Sequence, residues 1–239
     1  MITGAASGIG AAIARRFVDA GAHVGLLARR ADRLSALTGE LGTGVALSVP
    51  ADVTDSAALA QAAETISQAL GNADIVVANA GVMLPSPLEE LRADEWQRMV
   101  DLNLTGVLHT TQAFLRNLLA AGEARGVADL VLVSSLGARV TFPGYAVYGA
   151  TKAAVSYLAA AWRPSSLPGV RVTAVEPGLT HSELAGHVAH PVQAQELAGM
   201  FEMIPALGSD DVADAVTRVV ALPAHASVPT LPILPARQA

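Results

Sequence analysis

Short apolar runs alternate along the chain with segments whose apolar residues recur at helical spacing. The apolar runs have the length and the β-branched content of strands buried on both faces of a parallel sheet. These predicted strands are His23–Ala28, Val45–Val49, Asp74–Ala78, Leu130–Val133 and Val170–Val175. The alanine-rich segments between and after them predict helices at Ala11–Ala20, Asp32–Leu41, Asp55–Leu70, Asp94–Ala121, Tyr148–Trp162 and Asp210–Val220.

The order of these segments predicts the fold class. Strand–helix alternation with short connections is typical of an α/β fold with a doubly wound, mostly parallel sheet flanked by helices. No shift in composition marks a second domain, so we expect residues 1–239 to form a single domain. The segment 180–207 interrupts the alternation. An insertion there lies at the carboxyl ends of the strands, where ligands bind in such sheets, and we interpret it as a substrate lid.

The predicted first strand is unusually short. Only Met1–Thr3 precede the first glycine, whereas a strand usually has about five or six residues. We therefore expect that the chain begins inside a longer natural reading frame.

Several residues indicate where helices begin and end. Asp55 and Asp94 are predicted to cap the helices that follow them, because a short acceptor side chain can bind the first N–H groups. Pro164 and Pro168 cannot continue a helix, so Arg163–Pro168 is predicted to be irregular.

Composition and charge limit the kind of partner. Hydrophobic residues make up 52% of the chain and charged residues 15%, so a sizeable core is available. The net charge of −6, without a basic cluster, argues against a nucleic-acid partner. No apolar run reaches the roughly 18 residues of a membrane span, so we expect no membrane partner. With no cysteine and no recognisable secretory signal, we expect a cytoplasmic protein.

Thr3–Gly10 is a glycine-rich turn that leads directly into a helix. Its glycines let a pyrophosphate approach the backbone N–H groups, and the helix N-terminus adds partial positive charge. The residues expected to contact a dinucleotide are Gly4, Ser7, Gly8, Ile9 and Gly10. The alternative is a plain tight turn between a strand and a helix.

A basic pair, Arg29-Arg30, follows Ala28 at the end of the second strand. Sites that bind a free ribose 2′-hydroxyl usually carry Asp or Glu at this place. A guanidinium suits a 2′-phosphate better, so we expect NADP(H) as the cofactor, with Arg29 on its phosphate. The alternative is a pair of solvated arginines on a loop.

Tyr148 and Lys152 lie four residues apart on a predicted helix, so their side chains share one face. Ser135 follows the apolar strand Leu130–Val133, at the edge where a parallel sheet presents catalytic groups. A neighbouring ammonium and an oxidised nicotinamide both favour the phenolate, so we expect a lowered pKa for Tyr148 and a role in proton transfer. Tyr-x3-Lys alone is more typical of an ordinary pair on a helix face.

Taken in order, these motifs resemble those of the classical short-chain dehydrogenase/reductase family over nearly the whole chain. Thr3–Gly10 is similar to the family's cofactor turn. Ala78 stands where the family usually has an asparagine, and Ser182 where it usually has a threonine. Further positions that resemble its cofactor site are Asp52, Val53, Asn79, Ala80, Gly81, Pro177 and Gly178. The positions that match its catalytic tetrad are Asn103, Ser135, Tyr148 and Lys152.

The resemblance implies a Rossmann-type fold and an NADP(H)-dependent oxidoreductase acting on the carbonyl or alcohol group of a small molecule. It implies that Ser135 and Tyr148 bind the substrate oxygen and that Tyr148 transfers the proton. Lys152 would hold the nicotinamide ribose and lower the pKa of Tyr148, and Asn103 would hold a water that links Lys152 to solvent. A homodimer or homotetramer is also implied, because helices of this family pair subunits.

Residues 176–184 and the tail 222–238 are similar to an NADP-dependent branch of the family. This branch includes clavulanate-aldehyde reductase and the 3-hydroxy acid or serine dehydrogenases, which implies a small polar substrate. A dinucleotide-binding protein without turnover, acting as a sensor or structural subunit, is the main alternative function. An epimerase or dehydratase is another, although it needs a different proton acceptor within the segment 180–207.

A metal site is the remaining alternative. His181, His187 and His190 with Glu183 are the candidate ligands, but they contain no histidine pair at helical i,i+4 spacing. We therefore expect no metal ion.

Overall fold

The computed structural model describes residues 1–162 and 167–238. The strands are β1 (Ile2–Thr3), β2 (Val24–Ala28), β3 (Ala46–Pro50), β4 (Ile75–Ala78), β5 (Ala128–Val133), β6 (Val170–Pro177) and β7 (Thr230–Ile233). The helices are α1 (Gly8–Asp19), α2 (Ala31–Leu41), α3 (Ser56–Leu70), α4 (Ala93–Val100), α5 (Gly106–Arg125), α6 (Ala146–Ala161), α7 (Pro191–Met203) and α8 (Ser209–Val220). Within these two ranges, no helix is both long enough and apolar enough to cross a bilayer.

The strands form one parallel sheet in the order β3-β2-β1-β4-β5-β6-β7. The predicted doubly wound parallel sheet is therefore confirmed. Ile2 of β1 pairs with Leu26 of β2 on one side and with Val77 of β4 on the other. The chain thus winds outward in both directions from β1 and β4, and ligands of such sheets bind at this switch point.

Helices cover both faces of the sheet because the strands are apolar on both faces. On one face, α3, α5 and α6 bury a core that includes Leu59, Ile66, Phe114, Leu118 and Val155. On the other face, α1, α2 and α8 bury a core that includes Ile13, Phe17, Leu34, Val212 and Val216. The predicted helix at Asp210–Val220 is confirmed as α8.

The two predicted helix caps differ in outcome. The carboxylate of Asp55 accepts the N–H groups of Ala57 and Ala58 at 2.9 and 3.0 Å, so its role as the cap of α3 is confirmed. The prediction for Asp94 is wrong, because α4 begins one residue earlier, at Ala93. Asp94 lies within the first turn, where its negative charge interacts favourably with the positive end of the helix dipole.

The predicted long helix at Asp94–Ala121 is not regular. A π-helical turn at Asp101–Thr105 separates α4 from α5. Such turns shift the backbone register of a helix and often occur at functional sites. The helix that follows β5 is α6, which ends at Ala161. Of the stretch predicted to be irregular, residues 163–166 lie outside the described residues, and Leu167 and Pro168 follow in a bend and turn.

Candidate active site

The carboxyl ends of the central strands open into a cavity of about 520 Å³. Most of the residues that the sequence predicted as contacts line this one cavity. They are Gly4, Ser7, Gly8, Ile9, Arg29, Asp52, Val53, Asn79, Ala80, Gly81, Ser135, Tyr148, Lys152, Pro177 and Gly178. The other two predicted residues, Gly10 and Asn103, lie behind its wall and act on residues that line it.

The glycine turn provides a backbone surface for an anion. Gly4 and Gly8 have φ angles of +65° and +52°, which glycine adopts without strain. Helix α1 begins at Gly8, and its first residues, Gly-Ile-Gly-Ala, carry no acidic side chain. Because the first N–H groups of a helix have no partner within the helix, they can bind a phosphate here.

Gly10 lets α1 pack tightly under this turn. A Cβ atom at residue 10 would lie 2.5 Å from the carbonyl oxygen of Gly4 and 2.7 Å from Nδ2 of Asn79. Asn79 donates from Nδ2 to the carbonyl oxygen of Thr3 at 3.0 Å. Oγ1 of Thr3 accepts the N–H groups of Asn79 and Ala80 at 3.0 and 3.1 Å. Thr3 was not among the predicted contact residues, although its place immediately before the first glycine was an available signal.

Lys152 is a buried residue in the lining of the cavity. Its ammonium donates to the carbonyl oxygen of Val133 at 2.9 Å. Burial disfavours the charged form and lowers the pKa of Lys152 to about 8. Burial therefore makes Lys152 easier to deprotonate than an exposed lysine.

The structure corrects the expected pKa shift of Tyr148. Burial raises the pKa of this phenol, and a hydrogen bond with Ser135 opposes the rise without reversing it. The ammonium of Lys152 lies 5.9 Å from the centre of the tyrosine ring and is engaged with a backbone carbonyl. The neutral phenol is thus the favoured form, whereas the sequence predicted a lowered pKa.

Asn103 lies in the π-helical turn between α4 and α5. Its Oδ1 accepts the N–H of Val82 at 2.7 Å, and its Nδ2 donates to the carbonyl oxygen of Val82 and to Oγ1 of Thr151 at 2.9 and 3.1 Å. These bonds join the loop after β4 to α6. A Cβ atom at Gly81 would lie 3.1 Å from Oδ1 of Asn103 and 3.4 Å from Nζ of Lys152, so both side chains flank this glycine.

Arg30 of the basic pair and Arg33 of α2 contact the segment 180–207. Arg30 donates to Oγ of Ser7 at 2.9 Å and to Glu183 at 2.6 Å, and Arg33 donates to the other oxygen of Glu183 at 2.6 Å. The hydrogen bond from Arg30 is the main reason that the pKa of Glu183 falls to about 2. Arg29 approaches Asp52 at 3.7 Å. The ion pairs of Glu183 could not be predicted from local sequence patterns, because Arg30 and Arg33 are about 150 positions away in the chain.

The histidines proposed as metal ligands have other contacts. His190 caps α7 by accepting the N–H of Gln193, and its Nε2 lies 2.6 Å from Glu90. His181 stacks on Phe201 with ring centres 4.7 Å apart. In the part of the chain that the structure describes, no three histidine, cysteine or acidic side chains form a metal cluster.

The tail of the chain also reaches the site. Oε1 of Gln238 accepts the N–H of Leu179 at 2.8 Å, and Gln238 lines the cavity. The sequence of the tail indicated only a resemblance to one branch of the family, not a contact with the site.

Comparison with known proteins identifies what this arrangement is similar to. The family model described as short chain dehydrogenase matches residues 1–193. Serine 3-dehydrogenase of Rhizobium radiobacter is 36% identical over 245 residues, which cover 100% of this chain and 94% of that protein. The closed form of a serine dehydrogenase complexed with NADP+ superposes with a TM-score of 0.90 at 32% identity, and the match covers 100% of this chain and 95% of that one. Glycine betaine reductase ATRR of Emericella nidulans is 36% identical over 238 residues, but this chain spans only 18% of its length.

The packing under the glycine turn yields a prediction for two glycines on neighbouring helices. Gly10→Ala should lower the free energy of unfolding by about 1–3 kcal/mol, because the new methyl group meets a backbone carbonyl that cannot easily move. Gly39→Ala is the matched control, since its Cβ would meet nothing within 4 Å on α2. It should raise the free energy of unfolding by up to about 1 kcal/mol. Denaturant unfolding measures both, and equal effects of the two substitutions would contradict the tight packing.

Proposed function

The chain belongs to the short-chain dehydrogenase family, and we propose that it is an NADP(H)-dependent oxidoreductase acting on a carbonyl or alcohol group of a small substrate. One observation carries this proposal. Ser135, Tyr148 and Lys152 line the same cavity as the glycine turn, so a proton donor and a dinucleotide-binding surface face one space. Relatives named as dehydrogenases support the same reaction class.

The residues at the cofactor end fit a dinucleotide with a 2′-phosphate. The glycine turn and the start of α1 would hold the pyrophosphate. Ala28 provides no carboxylate for a 2′-hydroxyl, whereas Arg29 and Arg30 line the cavity beside it. The complex of serine dehydrogenase with NADP+ supports the choice of NADP(H) for this chain. The residues proposed to line the rest of the cofactor site are Asp52, Val53, Asn79, Ala80, Gly81, Pro177 and Gly178.

The side chains at the reaction end would supply the proton. When bound, NADPH supplies the hydride that reaches the carbonyl carbon. Tyr148 donates its proton to the carbonyl oxygen, and its raised pKa keeps that proton available near neutral pH. Ser135 donates a second hydrogen bond to the same oxygen, where negative charge develops. In alcohol oxidation Tyr148 must instead accept the proton, so high pH favours that direction.

Two buried residues would support Tyr148. Lys152 would bind the nicotinamide ribose and, in its charged form, stabilise the phenolate that remains after proton transfer. Asn103 positions α6 through its hydrogen bond with Thr151. We also propose that it holds a water that links Lys152 to solvent. Loss of the Lys152 charge above about pH 8 would weaken both functions.

The segment 180–207 would act as the substrate lid. It contains α7, and Ser182 packs against the glycine turn, where a Cβ atom at Gly8 would lie 3.2 Å from its Cβ. Leu184, Leu197 and Phe201 of this segment line the cavity. The cytoplasmic location expected from the sequence remains a prediction.

Replacement of Tyr148 tests the proposed activity. Tyr148→Phe keeps the packing of the ring but removes the proton donor, so NADPH-dependent reduction of aldehydes should fall by about a hundredfold or more while NADPH binding survives. Tyr157→Phe is the matched control, because Tyr157 lies on the same helix and is 74% exposed. Steady-state kinetics and NADPH fluorescence titration measure the two effects. Activity of Tyr148→Phe within about tenfold of the parent protein would contradict its role.

Replacement of Arg29 tests the cofactor choice. The unmodified protein should bind NADPH more tightly than NADH, and Arg29→Asp should weaken NADPH binding by about tenfold or more because attraction to the 2′-phosphate becomes repulsion. NADH binding should change much less. Arg15→Asp is the control, since Arg15 pairs with Glu40 away from the cavity. Equal affinity of the unmodified protein for NADH and NADPH would overturn the assignment.

The oligomeric state is a separate prediction. Helices α5 and α6 expose Leu108 and Tyr157, which supports the homodimer or homotetramer proposed from the family resemblance. Light scattering at micromolar protein concentration should give a multiple of the 24.3 kDa chain mass. A monomer under these conditions would refute it.

A further inference from the structure

The part of the cavity beyond Ser135 and Tyr148, which we call the substrate chamber, is apolar and aromatic. It extends between the loop before α6 and helix α7. The apolar and aromatic side chains that line it include Met83, Phe142, Tyr145, Leu197, Met200 and Phe201. Such a wall favours a substrate whose body, apart from the reacting carbonyl, is apolar.

One side of the substrate chamber is a row of aromatic rings. Phe142 and Tyr145 pack edge to face with ring centres 6.0 Å apart, and Tyr145 packs in the same way on Tyr148 at 6.5 Å. The row therefore leads outward from the proposed proton donor. A flat or aliphatic substrate body can lie along it with its carbonyl at Tyr148.

The opposite side comes from α7 and is held in place from behind. Leu197 is buried in a cluster with Leu179 and Val188, and Met200 and Phe201 pack against that cluster. Phe201 is further fixed by its stacking on His181. The apolar side chains of α7 are therefore presented to the substrate chamber by a packed layer.

Cationic side chains are placed at the other end of the cavity. Arg29 and Arg30 lie beside the glycine turn and contact Asp52 and Glu183. Among the described residues that line the cavity, Lys152 is the cation at the reaction end, and it is buried against the carbonyl oxygen of Val133. Among the residues that the structure describes, no guanidinium and no free ammonium lies within the substrate chamber to pair with an anionic group on the substrate body.

The charged side chain at the rim of the substrate chamber is an acid. Glu196 on α7 lines the cavity and is exposed to solvent. Burial raises the pKa of Tyr145, and the negative charge of Glu196 adds a smaller rise. A carboxylate beside an aromatic ring repels an anion and attracts a cation.

We infer that the substrate is an uncharged or cationic carbonyl compound with an apolar body, and that Glu196 determines specificity by disfavouring carboxylates and sulfonates. This inference rests on the proposed oxidoreductase function and names the substrate class of the same site. It departs from the small polar substrate implied by the family branch. Serine, which is named in the serine dehydrogenases that the chain resembles, carries a carboxylate, and the described residues of the substrate chamber provide no free cation to hold it.

Three aldehydes of matched shape test the inference, because they differ only in the para substituent. They are 4-methylbenzaldehyde, 4-formylbenzoate and 4-(trimethylammonio)benzaldehyde. NADPH consumption should give a kcat/KM for the methyl compound that is about tenfold or more above that of the carboxylate, as expected for an unpaired charge facing a like charge. A carboxylate that is reduced as efficiently as the neutral compound would overturn the inference.

Glu196→Gln tests the residue itself. The substitution should raise kcat/KM for 4-formylbenzoate relative to the methyl compound by several-fold and lower the relative value for the trimethylammonium compound. Glu202→Gln is the matched control, because Glu202 is an exposed acid of the same helix that does not line the cavity. An unchanged ratio in Glu196→Gln, or an equal shift in both variants, would overturn the role of Glu196.

Binding to an inactive variant separates this inference from the proposed function. Calorimetric titration of Tyr148→Phe with the three aldehydes, with and without NADPH, reports affinity in the absence of turnover. Weaker binding of the carboxylate than of the methyl compound supports the selectivity of the substrate chamber, whether or not the parent protein reduces the aldehydes. Absence of reduction by the parent protein would overturn only the proposed oxidoreductase activity. Equal or tighter binding of the carboxylate would overturn the inference whether or not turnover occurs.

Discussion

The candidate site depends on how helix α6 is fastened to the sheet, because Tyr148 and Lys152 both lie on this helix. Oγ of Ser134 at the end of β5 donates to the carbonyl oxygen of Lys152 and lies 2.8 Å from Oγ of Ser156 one turn later. Ser156 in turn donates to Glu176, a carboxylate of β6 that is fully buried. Buried polar groups are costly unless they are paired, so the bond from Ser134 to the backbone of α6 and the bond from Ser156 to Glu176 fix the register of α6 on the two strands.

The same attachment explains why the site could be only partly predicted. Strands and helices follow from local periodicity, and the contact residues follow from motifs in which a few glycines and polar residues stand close together in sequence. The pKa of Tyr148 cannot be predicted from such local patterns. It depends on how deeply packing buries the ring and on which group the ammonium of Lys152 contacts. The expected lowering assumed a neighbouring ammonium and an oxidised nicotinamide beside the phenol, but the ammonium of Lys152 is bound to a carbonyl oxygen of the sheet.

Contacts between distant parts of the chain account for the other differences. The ion pairs of Glu183 with Arg30 and Arg33 join the segment after β6 to the segment after β2. The role of Glu196 depends on α7 folding over the loop that carries Tyr145, and no local pattern indicates that approach. The irregular turn at Asp101–Thr105 is likewise invisible in apolar periodicity, since α4 and α5 continue on either side of it.

The carboxylate of Glu183 reduces the net gain in charge pairing when an anion binds beside Arg30. Glu183 already pairs with the guanidinium groups of Arg30 and Arg33 at the cofactor end. Because it belongs to the same chain, it competes with a bound anion at a constant effective concentration. A phosphate that binds Arg30 exchanges one anionic partner for another and creates little new charge pairing. Dissolved salt weakens both the Arg30–Glu183 contact that is broken and the Arg30–phosphate contact that is formed, so the two effects partly cancel. Affinity at this end should therefore vary less with ionic strength than a count of exposed arginines suggests.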